Sequence, residues 1–142
     1  MKIADIMTRN PVRIRSDRTL RDALQVMEEN EFHHLPVLSA DDHLVGIITE
    51  RDCRLALHLP DIVREYWQNE DLVDHLSVGS VMTVAPIIVE PDTLVVDAAQ
   101  SLLVHYVSCL PVMRGETLIG IVTLTDILIA FVKMYRPTPN TK

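Results

Sequence analysis

The chain is short of the residues that several common functions depend on. Glycine occupies only four of its 142 positions, and no Gly-x-x-x-x-Gly-Lys, Gly-x-Gly-x-x-Gly or Gly-x-Ser-x-Gly is present. The familiar glycine-built catalytic loops are therefore missing, and no enzyme activity is expected. Aromatic residues make up 4% of the chain, too few for a platform that stacks successive bases. Thirteen Lys and Arg face twenty Asp and Glu, giving a net charge of −7. Without a basic stripe, nucleic acid is not expected as a main partner. No apolar run approaches the ~20 residues of a membrane span. Met1-Lys2-Ile3-Ala4-Asp5 is charged almost at once, unlike the apolar core of a signal peptide. These absences lead to the expectation of a soluble cytoplasmic protein that does not engage a membrane. In that setting the only two cysteines, Cys53 and Cys109, read as reduced core thiols.

What the chain does have is a duplication. Hydrophobic residues reach 48%, enough for one compact domain or two small halves that depend on each other. Met7-Thr8 returns 75 residues later as Met82-Thr83. The same offset pairs Pro11 with Pro86, Asp22-Ala23 with Asp97-Ala98, and Leu35-Pro36-Val37 with Leu110-Pro111-Val112. One deletion in the 39–43 turn shortens it to 74, after which Leu44, Gly46, Thr49 and Asp52 match Leu118, Gly120, Thr123 and Asp126. So many ordered matches with one gap mark an internal repeat. The expected layout is repeat 1 at 1–58, a helical connector at 59–77, repeat 2 at 78–135, and a flexible tail at 136–142.

Local patterns give each repeat the same element order. Residues 3–7 read as a helical turn, and Val12-Arg13-Ile14 alternates as a short strand would. Asp17 or Thr19 can cap a helix carrying Leu20, Ala23, Leu24 and Met27 at i, i+3, i+4 and i+7. Residues 34–38 and 44–48 read as two strands joined by a polar turn, and a helix starting near Glu50 should carry Leu55 and Leu59 inward. In repeat 2 the helix holding Val95, Ala98, Ala99, Leu102, Leu103 and Tyr106 is more apolar, so deeper burial is expected. The last helix should hold Ile127, Leu128, Phe131 and Tyr135. In the connector, Ile62, Val63, Tyr66 and Trp67 fit another amphipathic helix, with Trp67 either sealing the core or meeting a partner.

The repeated Gly46-Ile47-Ile48-Thr49-Glu50-Arg51-Asp52 and Gly120-Ile121-Val122-Thr123-Leu124-Thr125-Asp126 carry the chemistry. Each is an apolar strand ending on a hydroxyl, with a carboxylate three residues on. An ionised Asp can accept from both hydroxyls of a ribose, and a Thr hydroxyl can donate to a phosphate oxygen beside a helix N-terminus. The plainer alternative is that Thr and Asp only cap the helix. The duplicated context favours a ligand role in at least one copy.

In order, Met7-Thr8, Pro11, Leu35-Pro36-Val37, Gly46 and Thr49-x-x-Asp52, with their partners in repeat 2, resemble the cystathionine-beta-synthase (CBS) domain. CBS domains occur in pairs called Bateman modules. The resemblance implies an α+β fold (α/β in some schemes): tandem β-α-β-β-α units packed through their sheets with pseudo-twofold symmetry. It also implies a stand-alone pair, commonly a homodimer, that binds adenosine-containing ligands and regulates a separate, unknown protein by a ligand-dependent change in the angle between its halves. AMP, ADP or ATP is the expected ligand, with NAD or S-adenosylmethionine as alternatives, and no cofactor is required. A docking module without a ligand is the alternative function.

By that analogy the first cleft would draw on His33, His34, Thr49, Arg51 and Asp52, with an adenine wall from Thr83, Ala85, Val107 and Ser108. A second, weaker cleft would use Thr8, Asn10, Phe32, His33, Thr123 and Asp126, without an evident phosphate cation of its own. His34 stands where the family often has Arg, and histidine is fully charged only below about pH 6.5. No metal site is expected. His33 and His34 would point to opposite faces of a strand, and the other histidines lack ligand spacing.

Overall fold

The computed structural model describes residues 1–57 and 73–136. The connector residues Leu59, Ile62, Val63, Tyr66 and Trp67 and the tail from Pro137 onward lie outside the described residues. The chain divides into two compact units, and these do not coincide with the two sequence repeats. The first unit is Pro11–Pro86; the second joins Met1–Asn10 to Ile87–Lys142. Each repeat thus gives its leading ten or so residues to the unit built mainly from the other.

In the first unit, β2 (Ile14–Arg15) leads through helix α1 (Leu20–Asn30) to β3 (His34–Leu38), which lies parallel to β2. A parallel neighbour requires a crossover of that kind, and α1 supplies it. β3 then turns at Asp42, whose φ is +62°, into the antiparallel β4 (Leu44–Thr49). After β4 comes α2 (Glu50–Leu57), and later α3 (Val78–Val81) and β5 (Thr83–Val84), giving the sheet order β2-β3-β4-β5. The expected strand at residues 12–14 is displaced to Ile14–Arg15, because Pro11 and the following residues make no ladder. The core holds Leu20, Ala23, Met27, Leu35, Val37, Ile48, Cys53 and Val78. Leu55 does not point inward as expected: it is 61% exposed, and Cys53 takes the buried position on α2.

The second unit repeats the plan. A 3-10 turn (Ile3–Asp5) and β1 (Thr8–Arg9) come from the chain start; helix α4 (Val95–His105), strands β6 (Cys109–Arg114) and β7 (Thr117–Thr123), and helix α5 (Leu124–Tyr135) follow. The sheet order is β1-β7-β6, and the counterpart of β2 is reduced to a parallel bridge between Val89 and Val112. Both β3–β4 and β6–β7 shift register at matching places, Val37/Leu38 and Val112/Met113. The second core contains Ile3, Val89, Ala98, Leu102, Leu110, Val112 and Val122.

The exchanged segments explain two of the repeated signatures. Ile3 and Val78 occupy matching positions, and both are fully buried, each in the core of the unit its segment joins. Gly46 faces β5, where an added Cβ would lie 2.5 Å from Met82 Sδ and 2.7 Å from the Thr83 carbonyl oxygen. Gly120 faces β1 in the same way, with Met7 Sδ at 2.7 Å and the Thr8 carbonyl at 3.0 Å. At Gly46 a side chain would force the backbone of β5 away, and at Gly120 it would press against that of β1, so glycine lets the Met-Thr segment pair closely with the central strand.

The expectation that the helix of repeat 2 lies deeper is wrong. On α4 only Ala98 and Leu102 are buried, while Leu103 is 73% and Tyr106 95% exposed. A more apolar helix need not be a more buried one when its extra apolar residues lie outside the core-facing stripe. Charge is just as uneven. The first unit holds seven Lys and Arg against fourteen Asp and Glu, and the second six against six. The whole net charge of −7 therefore belongs to the first unit.

Candidate functional site

In the first unit, three segments meet at the end of β4. His34 opposes Thr49 across the β3–β4 ladder, and Thr83 opposes Ile47 across β4–β5. Thr83 therefore sits two residues back from Thr49 along the strand, about 6–7 Å. The backbone N–H of Glu50 donates to the His33 carbonyl at 3.0 Å, tying the start of α2 to the residue before β3. His33, His34, Thr49, Arg51, Asp52, Thr83 and Ala85 all belong to this unit, whereas Val107 and Ser108 belong to the other. Ala85 has φ +48°, a conformation that non-glycine residues seldom adopt. Asn10, its counterpart in the second unit, has φ +46°. Both precede a proline, so the two repeats hold the same strained backbone beside the same strand.

The capping role of Thr and Asp is real in both copies. Thr49 N–H donates to Asp52 Oδ2 at 2.9 Å, and Asp52 N–H donates to Thr49 Oγ1 at 3.0 Å. Thr123 and Asp126 form the same reciprocal box at 2.8 and 3.3 Å. Thr19 and Asp22 form a third at the start of α1, so Thr-x-x-Asp by itself signals a cap. Capping does not exhaust these groups. The box engages only Oδ2, and among the described residues Oδ1 of Asp52 accepts no hydrogen bond. At the start of α2 the N–H groups of Glu50 and Asp52 are taken, leaving that of Arg51 open.

The two copies differ at this point. Arg51 is exposed and has no ion-pair partner among the described residues. Repeat 2 has Thr125 there. Thr123 donates its hydroxyl to Asp126 Oδ2 at 3.0 Å; among the described residues the Thr49 hydroxyl makes no such donation. The histidines are less available than the sequence implies. His33 Nδ1 lies 2.6 Å from Glu50 Oε2, and Glu50 also faces Arg54 at 3.7 Å. A cavity of about 540 Å³ beside His33 is lined by Leu24, Met27, Glu28, Glu31, Phe32 and Glu50. Its three carboxylates make it a poor seat for phosphate.

In the second unit lie Thr8, Asn10, Thr123 and Asp126, while Phe32 and His33 belong to the first. The Leu124 N–H donates to the Ser108 carbonyl at 2.9 Å, matching the Glu50–His33 tie. That unit has a cation the sequence reading overlooked. Arg9 on β1 opposes Gly120 and is exposed; among the described residues its guanidinium donates only to the Ala4 carbonyl, at 3.2 Å. It was legible only to a reader who knew that residues 1–10 join repeat 2.

Cys53 directly follows Asp52 but is no nucleophile. Burial, reinforced by the Asp52 charge, pushes its thiol up to about 11, so it stays protonated at neutral pH. Both cysteines are buried, and they are not joined in a disulfide. Among the described residues no three His, Cys, Asp or Glu side chains gather where they could hold a metal ion, and no helix is long and apolar enough to cross a membrane.

Comparison with known proteins agrees with this architecture. The family model described as CBS domain matches residues 3–59 and 78–133. A CBS domain-containing protein of Dictyostelium discoideum is 37% identical over 141 residues, covering 96% of this chain and 95% of its own. The crystal structure of CBSX2 in complex with AMP superposes with a TM-score of 0.75 at 29% identity, covering 95% of this chain and 98% of that one. The CBS domain pair of protein MJ0100, in complex with 5-methylthioadenosine and S-adenosyl-L-methionine, gives a TM-score of 0.80 at 26% identity, covering 94% and 98%.

Proposed function

The chain belongs to the CBS domain family, and on that premise we propose that it is a regulatory module that binds an adenine nucleotide and acts on a separate protein. The observation that carries this reading is the start of α2. There, among the described residues, one carboxylate oxygen of Asp52 accepts no hydrogen bond, and the adjacent, exposed Arg51 has an open N–H and a guanidinium without an ion-pair partner. A ribose diol can donate to that oxygen, and a phosphate can take the N–H and the guanidinium. AMP, ADP and ATP suit this set best. NAD and S-adenosylmethionine share the adenosine but present different charge at the 5′ end. The adenosine ligands bound by CBSX2 and by the MJ0100 pair support the same class.

The second copy, with Asp126 and Arg9 but no cation at position 125, is the weaker site. The function is binding rather than catalysis, and the ligand acts by favouring one arrangement of the protein over another. The protein is also read as a homodimer.

A thermal-shift panel of AMP, ADP, ATP, NAD and S-adenosylmethionine tests the proposal. At one hundred times Kd a ligand stabilises by about 2.7 kcal/mol, so about 10 mM ligand reveals a site whose Kd is about 0.1 mM or tighter. Asp52→Ala is a blunt probe, because it also removes a helix cap at a cost of about 1 kcal/mol. Arg51→Gln leaves the box intact. It is expected to keep the wild-type melting temperature without ligand and to weaken the response to AMP and ATP severalfold. A wild-type protein indifferent to all five compounds would leave the docking-module reading in its place.

A further inference from the structure

Three of the seven cations in the first unit, Arg13, Arg15 and Arg18, stand within six consecutive residues of a unit that holds fourteen carboxylates. Together with Asp22, Gln25 and Glu29 of α1 they line a cavity of about 420 Å³. The two carboxylates are engaged within α1 and its cap: Asp22 Oδ2 accepts from the Thr19 N–H at 3.2 Å, and Glu29 Oε1 from the Gln25 amide at 3.0 Å. Among the described residues neither forms an ion pair with the three arginines. Arg13 is half-buried, and its Nε donates to the Pro11 carbonyl at 3.3 Å. Arg15 meets Asp42 at 3.5 Å with both side chains at least half exposed, a pairing that adds little and exchanges readily. Arg18 is exposed and has no ion-pair partner among the described residues. Charge on an edge strand can serve only to discourage unwanted pairing. The second repeat argues against that as the whole reason. Its matching residues are Ile88, Glu90 and Thr93, and Ile88 is 49% exposed, so the fold tolerates this edge without a cationic guard.

We propose that the cavity and the edge of β2 together seat an extended, carboxylate-rich segment of a separate protein. β2 is the outermost strand of its sheet, paired with β3 alone, so an extended segment can lie beside it backbone to backbone. Every second side chain of such a segment falls on the same side. Arg13 and Arg15 are themselves alternate residues, about 6–7 Å apart along an extended chain. Ile14 between them is buried, which turns the two arginines away from the core. Successive carboxylates of the segment can therefore meet successive guanidinium forks, each suited to two parallel hydrogen bonds, with Arg18 taking a third. Charge selects the partner. A basic segment is repelled here, and the rest of this acidic unit repels an acidic one, so the arginines fix where it lands. The inference rests on the reading that the protein acts on a separate partner and not on the nucleotide site, so the thermal-shift panel and the experiment below fail independently.

Fluorescence anisotropy tests it, with the full chain titrated into a labelled peptide of about ten residues alternating glutamate and threonine. The peptide should bind and weaken about tenfold between about 0.05 and 0.5 M salt, and a lysine–threonine counterpart should not bind. Arg15→Gln with Arg18→Gln should weaken binding severalfold at an unchanged melting temperature. Arg18→Gln alone, at an exposed position, serves if the double variant misfolds. Arg21→Gln and Arg51→Gln, in the same unit but outside the cavity, should bind as the wild type does. An N-methylated version of the peptide keeps its charge and loses its backbone donors, and should bind severalfold less. A wild-type protein indifferent to the acidic peptide overturns the site. Equal losses in Arg21→Gln or Arg51→Gln reduce the effect to net charge and overturn it as well. Undiminished binding of the N-methylated peptide overturns the pairing along β2. Displacement by inorganic phosphate beyond that by chloride of equal ionic strength overturns the extended segment in favour of a small anion.

Discussion

The two units have the same interior and opposite exteriors. Ile3 and Val78, Gly46 and Gly120, Leu35 and Leu110, and Thr49 and Thr123 sit at matching places and perform matching tasks. Outside that shared frame the copies part. The first unit has charged helices, all of the net charge and Arg51; the second has apolar helices, balanced charge and Arg9. The reason is physical. A close-packed interior tolerates little change in volume, and a glycine against a backbone carbonyl tolerates none. Exposed positions carry no such constraint, and differences in function accumulate there.

The exchanged segments give the comparison its strongest test. Ile3→Ala removes a fully buried side chain from the second core and should cost about 2–5 kcal/mol, read as a shift in the urea midpoint. Val78→Ala, its match in the first core, deletes one carbon fewer and should cost less. If either change left stability untouched, the assignment of residues 1–10 or 78–86 to the opposite unit would be wrong. Next come the glycines. Gly46→Ala and Gly120→Ala should each destabilise by about 1–3 kcal/mol through forced displacement of a neighbouring strand. Gly46→Ala should be the worse of the two, because its Cβ would meet both methionine sulfur and carbonyl at the shorter distances. The reverse order in thermal melts would show that β1 is the more tightly held segment.

The smallest expected effect concerns a surface pair found only in the first unit. Arg21 Nε lies 2.6 Å from Asp74 Oδ1, and hydrogen bonding to the guanidinium lowers the Asp74 pKa from 3.8. A carboxyl depressed in the folded state contributes stability above its unfolded pKa and loses it as pH falls through the folded one. The contribution should therefore be present at neutral pH and fade below 3.8, slightly in size because the pair is exposed. Asp74→Asn should flatten that part of the melting-temperature profile. An unchanged acid limb would mean that the pair adds nothing.

The strands at residues 34–38 and 44–49 and the helices after Thr19 and Thr49 could be read from periodicity and caps. Each depends on neighbours within a few residues, which is why local patterns found them. The same locality explains the failures. Leu55 and Leu103 look like core residues by composition, yet which side of a helix is buried depends on what packs there. Thr49 and Asp52 were legible as a pair, but the choice between cap and ligand grip was not. In the fold one carboxylate oxygen of Asp52 caps the helix, and among the described residues the other accepts no hydrogen bond. His33 read as a phosphate contact until Glu50, seventeen residues away, was found at 2.6 Å.

By itself the sequence determined that the chain is a duplication, which residues correspond, and which family it resembles. Those conclusions follow from order and spacing, and folding cannot alter them. Only the tertiary structure decided where the repeats were cut and rejoined, because strand pairing is a contact between distant residues. Met7-Thr8 reaches Gly120 and Met82-Thr83 reaches Gly46. It likewise decided that the duplicated Thr-x-x-Asp caps its helix in both units, while among the described residues the hydroxyl of Thr123 donates to its Asp and that of Thr49 does not. Free hydrogen-bonding capacity is what remains after every neighbour has taken its share, and the neighbours are set by the fold.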